Sequence, residues 1–111
     1  MLDEEILCNY LSVVMLEGLV RWTWSLAKNR DNKRKHGLSF ETAQLVFDDP
    51  ISLSRVDPFA DEGRWQTVGR IDGATVFVVH TWPESDAEEG RIISARKATA
   101  HERNAYEETQ F

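Results

Sequence analysis

Apolar positions alternate in Leu19-Val20-Arg21-Trp22-Thr23-Trp24, which predicts a first strand with Val20, Trp22 and Trp24 on one face. The period then changes. Ser25 is placed to cap a helix running to about Lys35, and Gly37 suits its left-handed stop. Ser39 caps a second helix in which Phe40, Ala43, Val46 and Phe47 keep the helical spacing, and Pro50 ends it. The alternating stretch from Ile51 to Val56 predicts a strand, and a loop from Asp57 to Gly63 follows. The segments Arg64 to Ile71 and Ala74 to Trp82 flank Asp72-Gly73, a two-residue hairpin signal. An acidic loop, Glu84 to Gly90, leads to a last strand from Arg91 to Ala95. Thr99 and Glu102 form a T-x-x-E capping box that opens a closing helix through about Glu108. The predicted fold class is therefore α+β: an antiparallel sheet of about four to five strands, two N-terminal helices and one C-terminal helix.

Composition narrows the class. The chain has 111 residues, room for one domain, and 41% hydrophobic with 29% charged residues is a globular mixture. We divide it into an N-terminal extension, residues 1–19, and a domain from 20 to 111. The extension carries acids where a secretory signal needs positive charge, and its apolar runs are too short to span a bilayer. Leu7, Tyr10, Leu11 and Val14 fall at helical spacing, so it reads as an added amphipathic helix. The alternative is that Met15 is the natural start. A single cysteine, Cys8, excludes an internal disulfide framework, and a reduced, cytoplasmic setting is the simplest expectation.

Net charge of -6 argues against a protein that coats nucleic acid by bulk electrostatics. The charge is polarised, however. Between Arg21 and His36 six Lys or Arg face one acid, Asp31, whereas Glu84 to Glu89 holds four acids and no base. Three histidines, His36, His80 and His101, stand without an H-E-x-x-H motif or a cysteine pair, so neither a metal nor a cofactor is expected. No glycine-rich phosphate loop and no G-x-S-x-G elbow occurs.

What remains is an arginine and histidine set. Arg64, Arg70, Arg91 and Arg96 fall at strand starts or ends, and even spacing puts Arg64 and Arg70 on one face. Planar guanidinium forks in this set suit phosphate oxygens and the charge of a phosphoryl transition state. The competing reading is that these arginines pair with the chain's many acids. His36 is the candidate for proton transfer, because imidazole's reference pKa of ~6.5 permits exchange near neutrality. A helix-terminal histidine bonding the last carbonyls is the alternative. His80, in an apolar run, reads as packed, and His101 as exposed. Trp22, Trp24, Phe40 and Phe47 read as core; Trp65, Trp82 and Tyr106 are candidates for base stacking, with core packing the competing role.

Three ordered blocks carry a family resemblance. The first comprises Trp24, Lys28, Asn32, the run Lys35-His36-Gly37-Leu38-Ser39-Phe40-Glu41, Ala43, and Phe47-Asp48-Asp49-Pro50. The second is Gly63-Arg64-Trp65 with Val68-Gly69; the third is Ile92-Ile93-Ser94-Ala95-Arg96-Lys97-Ala98 with Glu102-Arg103 and Tyr106. Over roughly Val20 to Glu108 the chain resembles the BrnT toxins. The resemblance implies a RelE/ParE-like fold and a metal-independent endoribonuclease. It also implies a BrnA-like antitoxin partner, with which such toxins form larger assemblies that repress their own operon by binding operator DNA. Arg64, Arg96 and the Lys35-His36 pair become site candidates, with Arg64 and Arg96 expected to converge at one rim of the sheet. The family usually has an acid at the position of Ser25.

The expected catalytic set is thus His36, Arg64 and Arg96, with Lys28, Lys33, Lys35, Arg70, Lys97 and Tyr106 binding RNA. The expected reaction is attack of a ribose 2'-hydroxyl on the adjacent phosphate, giving a 2',3'-cyclic phosphate and a 5'-hydroxyl end. The competing expectation is a non-catalytic or gyrase-directed protein of the same fold, since fold alone does not choose a target.

Overall fold

A computed structural model describes residues 20–59, 63–82 and 89–111. The expected extension helix, Cys8 and most of the acidic loop lie outside the described residues. Chain order is β1 (Arg21–Thr23), α1 (Leu26–His36), α2 (Phe40–Ala43), a 3-10 turn (Gln44–Asp48), β2 (Leu53–Val56), β3 (Trp65–Ile71), β4 (Ala74–His80), β5 (Glu89–Lys97) and α3 (Ala100–Glu108). The sheet order is β1-β5-β4-β3-β2.

The architecture is α+β as expected, with one correction: the sheet is mixed. β2 to β5 pair antiparallel, but β1 runs parallel to β5, with Arg21 opposite Glu89 and Thr23 opposite Arg91. A parallel pair needs a long crossover, and here two helices and three strands separate the partners. Gly90 makes the pairing close, because a Cβ there would collide with the Trp22 ring. This pairing also starts β5 two residues earlier than the apolar pattern implied.

Helix caps follow the sequence. Ser25 Oγ accepts the Lys28 N–H at 3.2 Å, Gly37 takes φ 71°, and the Thr99–Glu102 capping box is complete. The second helix is broken: after Ala43 it tightens into the 3-10 turn. The i, i+3 spacing across the two segments keeps Phe40, Ala43 and Val46 on one side, and all three are fully buried against Val76, Val78, Ile92 and Ala95. Asp72 and Gly73 both take positive φ, as the β3–β4 hairpin requires.

Asn32 closes the one edge that β1 leaves open. Among the described residues no strand pairs with β5 on that side beyond Arg91, and the buried Asn32 amide accepts the Ala95 N–H at 3.2 Å while donating to the Ala95 carbonyl at 2.7 Å. A second donation, to the Leu38 carbonyl at 2.9 Å, ties the α1–α2 turn to the same point. One side chain thus does the pairing of a missing strand residue.

His80 is fully buried, as expected, and its hydrogen bonds fix its tautomer. Nδ1 lies 2.9 Å from the Thr81 carbonyl, which can only accept, so Nδ1 carries the proton. In the neutral ring Nε2 then accepts from Thr67 Oγ1 at 2.6 Å, and Thr67 in turn accepts from Ser54 Oγ at 2.7 Å. Trp22 and Phe47, stacked at 3.9 Å, meet the His80 ring edge-on.

Candidate active site

Cross-strand register assigns side chains to the two faces of the sheet. Val76, Val78, Ala95 and Ile92 face α2 and the 3-10 turn. The opposite face carries two complete rows. One row is Arg55, Gln66, Val79 and Ser94; the next is Leu53, Val68, Phe77 and Arg96. Arg70 and Thr75 continue it. Arg64 extends it at the other end, because its carbonyl accepts the Asp57 N–H at 2.9 Å and the alternation persists one residue beyond β3. This second face therefore bears Arg55, Arg64, Arg70 and Arg96, with α3 packed against part of it through Tyr106.

The two central arginines share a face, as the reading of the strands required for Arg64 and Arg70. They do not share a rim. Four residues along the strand and two strand spacings put the Arg64 and Arg96 Cα atoms about 16 Å apart. Their surroundings differ too. Arg64 is exposed, and among the described residues its side chain makes no ion pair or hydrogen bond. Arg96 is held bidentately by Glu102, Nη1 to Oε1 at 2.8 Å and Nη2 to Oε2 at 2.9 Å, and lies 4.3 Å from the centre of the Phe77 ring. Nη1 also donates to the Lys97 carbonyl at 3.2 Å. The fork retains its Nε–H and one Nη2–H, and the side chain is 37% exposed. Burial pushes the Glu102 carboxyl up, but Arg96 and the Thr99 N–H outweigh that and hold it below the usual carboxylate range.

His36 stands apart from this pair. It is the exposed last residue of α1, one helical turn past Asn32, and no hydrogen bond or ion pair joins it to Arg64 or Arg96. The expectation of one compact catalytic cluster is thus corrected to two arginines on one face, with His36 on the helix beside β5.

The proposed RNA contacts divide likewise. Lys28, Lys33 and Lys35 are exposed along α1. Lys97 pairs with Val76 and so points to the face opposite Arg96. Arg70 belongs to the arginine face, 5.3 Å from the Tyr106 ring centre and 3.4 Å from Glu107. Tyr106 is only 7% exposed, and its hydroxyl donates to Asp49 Oδ2 at 2.7 Å. Asp49 also accepts the Arg70 and Ile51 N–H groups. Tyr106 therefore pins α3 to the end of the 3-10 turn, and its ring is not an open stacking platform. Of the other stacking candidates, Trp82 is 41% exposed but packs with Trp22, Phe47 and Trp65. Together with Val20, Leu45 and Ser54, Trp22, Phe47 and Trp82 line a cavity of about 320 Å³ on the face away from the arginines.

Two features of the arginine face were not read from the sequence. Glu102 enters the sequence reading as a cap and as part of the third block, without its bond to Arg96, although its capping role already placed it beside β5. Gln66 gave no signal at all.

Among the described residues no group of three His, Cys, Asp or Glu side chains is placed to hold a metal ion, and no helix is long and apolar enough to cross a membrane. No curated protein matches the chain. Among solved structures, the ribonuclease toxin BrnT of Brucella abortus superposes with a TM-score of 0.54 at 23% identity, covering 72% of this chain and 97% of that one. That likeness establishes the fold. The family model for the BrnT ribonuclease toxin of type II toxin–antitoxin systems matches residues 24–102, which cover the first two sequence blocks and the third as far as Glu102. The chain belongs to the BrnT family of ribonuclease toxins, whose members act within type II toxin–antitoxin systems.

Proposed function

We propose that the arginine face cleaves RNA through the substrate's own 2'-hydroxyl, without a metal ion. The observation that carries this reading is the contrast between its two arginines. Arg96 is oriented by Glu102 over Phe77 with donors to spare, and Arg64 lies exposed on the same face. In the proposed reaction a base removes the 2'-hydroxyl proton, the 2'-oxygen attacks phosphorus, and the bond to the 5'-oxygen breaks as an acid protonates that oxygen. Arg96 meets the charge that develops on the phosphate, and Arg64 holds the strand farther along. Glu102, ionised and committed to Arg96, is a positioning residue and a poor proton acceptor at neutral pH. His36 is the proposed proton-transfer group, reached when the substrate strand crosses from the sheet face to α1. Lys28, Lys33 and Lys35 would contact backbone phosphates there.

Membership of a type II system implies an antitoxin partner. We propose a BrnA-like antitoxin in the cytoplasm, bound to the toxin in a larger assembly that reaches operator DNA through the antitoxin.

The reaction is tested by incubating the purified protein with RNA in EDTA. Cleavage is expected to persist and to leave 2',3'-cyclic phosphate and 5'-hydroxyl ends. Abolition by EDTA with recovery on added magnesium would refute the metal-independent route.

A further inference from the structure

Gln66 lies between Arg64 and Arg96 on the arginine face and is 6% exposed. Its Oε1 accepts the Arg55 Nε–H at 2.7 Å. Because that nitrogen can only donate, the amide orientation is settled: the oxygen turns to Arg55 and the NH₂ turns away. Among the described residues that NH₂ makes no hydrogen bond. Buried polar groups are nearly always paired, and an unpaired buried donor carries the full desolvation cost, so this group calls for an explanation.

The surroundings supply one. Arg55 also lies 4.3 Å from the centre of the Phe111 ring, and Phe111 meets Phe77 edge-on at 6.4 Å. Phe111 thus contacts a guanidinium and a second aromatic ring, and that guanidinium is bonded to the amide whose NH₂ is free. Stacking faces of this kind combined with an edge hydrogen bond are how single-stranded bases are recognised.

We propose that Gln66 is a specificity-determining residue that reads one base of the substrate through its NH₂, and that Phe111 occupies the base's place in the free protein. This inference rests on the ribonuclease reading above. With the NH₂ directed at the 4-position of a pyrimidine or the 6-position of a purine, donors alone favour the keto bases uracil and hypoxanthine over cytosine and adenine, which carry an amino group there.

Initial cleavage rates on oligo(U), oligo(I), oligo(C) and oligo(A) test it. The wild-type protein is expected to prefer the two keto substrates in kcat/KM by about 10-fold, the value of one well-made hydrogen bond. Gln66→Met, which has no donor, should level the four substrates. Gln66→Glu keeps the Arg55 partner while exchanging NH₂ for an acceptor, and it should shift preference toward the amino bases. Phe111→Ala should lower KM for the keto substrates several-fold. A uniform loss on all four substrates in both Gln66 variants, or a ranking unchanged from wild type, would overturn the inference while leaving the ribonuclease reading intact. A wild-type protein that cuts none of them would overturn both.

Discussion

Arg96→Ala is expected to lose cleavage by about 10²- to 10³-fold in kcat, the usual cost of deleting one group that meets developing charge. The reasoning starts from how the side chain is held. Glu102 takes one donor from each terminal nitrogen and Phe77 covers one plane, so the guanidinium is fixed before substrate arrives. Little reorganisation is then needed as charge builds on the phosphate. Arg96→Lys should be nearly as impaired, since an ammonium cannot reproduce the planar fork. The fold should survive either change, because Glu102 still accepts the Thr99 N–H and the capping box persists. In cells, induction of Arg96→Ala should permit growth and leave transcripts whole where the wild type does neither. A well-folded Arg96→Ala protein cutting RNA within about 3-fold of wild type would remove Arg96 from the chemistry, since that difference is well under 1 kcal/mol.

Conformational stability is expected to fall by about 3 kcal/mol between pH 7 and pH 4 through His80 alone. Burial is the main cause: it disfavours the imidazolium and lowers the His80 pKa to about 4, against the partial opposition of the Thr81 carbonyl. The sign follows from proton counts. Between about 6.5 and 4 the unfolded chain binds a proton at this site and the folded chain does not, so acid favours unfolding across that window. The contribution is complete above the unfolded value and gone once pH drops through the folded one. Chemical denaturation at pH steps from 7.5 to 4.5, with the His80 ring followed by NMR, measures both quantities together. A His80 resonance that titrates near 6.5 with a flat stability curve would show that the ring is not held neutral.

The legible parts of this molecule were those fixed by neighbours in the chain. Ser25, Gly37, the Thr99–Glu102 box and Asp72-Gly73 each state a local rule, and each element they bound is present. His80 was legible because apolar residues flank it on both faces. Parallel pairing of β1 with β5 was not, since nothing within reach of Arg21 along the chain announces Glu89 as its partner. The 3-10 turn escaped because Phe40, Ala43 and Val46 fit an α-helix almost as well as a three-residue period. At the candidate site, parity along β3 placed Arg64 and Arg70 on one face, and that much needs no register. Distance across the sheet does need it, which is why Arg64 and Arg96 were expected closer together than they are. Arg55 with Gln66, and Arg96 with Glu102, are contacts between elements. Asn32 shows the same limit: its place in the motif was visible, but its pairing with Ala95 depends on where β1 stops.

A substrate RNA whose cleavage site has been mapped, remade with a single deoxyribose on the 5' side of the scissile phosphate, probes the chemistry of the arginine face most directly. The nucleophile is then absent while every phosphate and base is kept. The altered bond should stay intact under conditions in which the all-ribose strand is fully cut, and neighbouring minor sites should still be cleaved. Scission of the altered bond at an undiminished rate would mean that water or a protein side chain is the attacking group, and the mechanism drawn from Arg64 and Arg96 would be wrong.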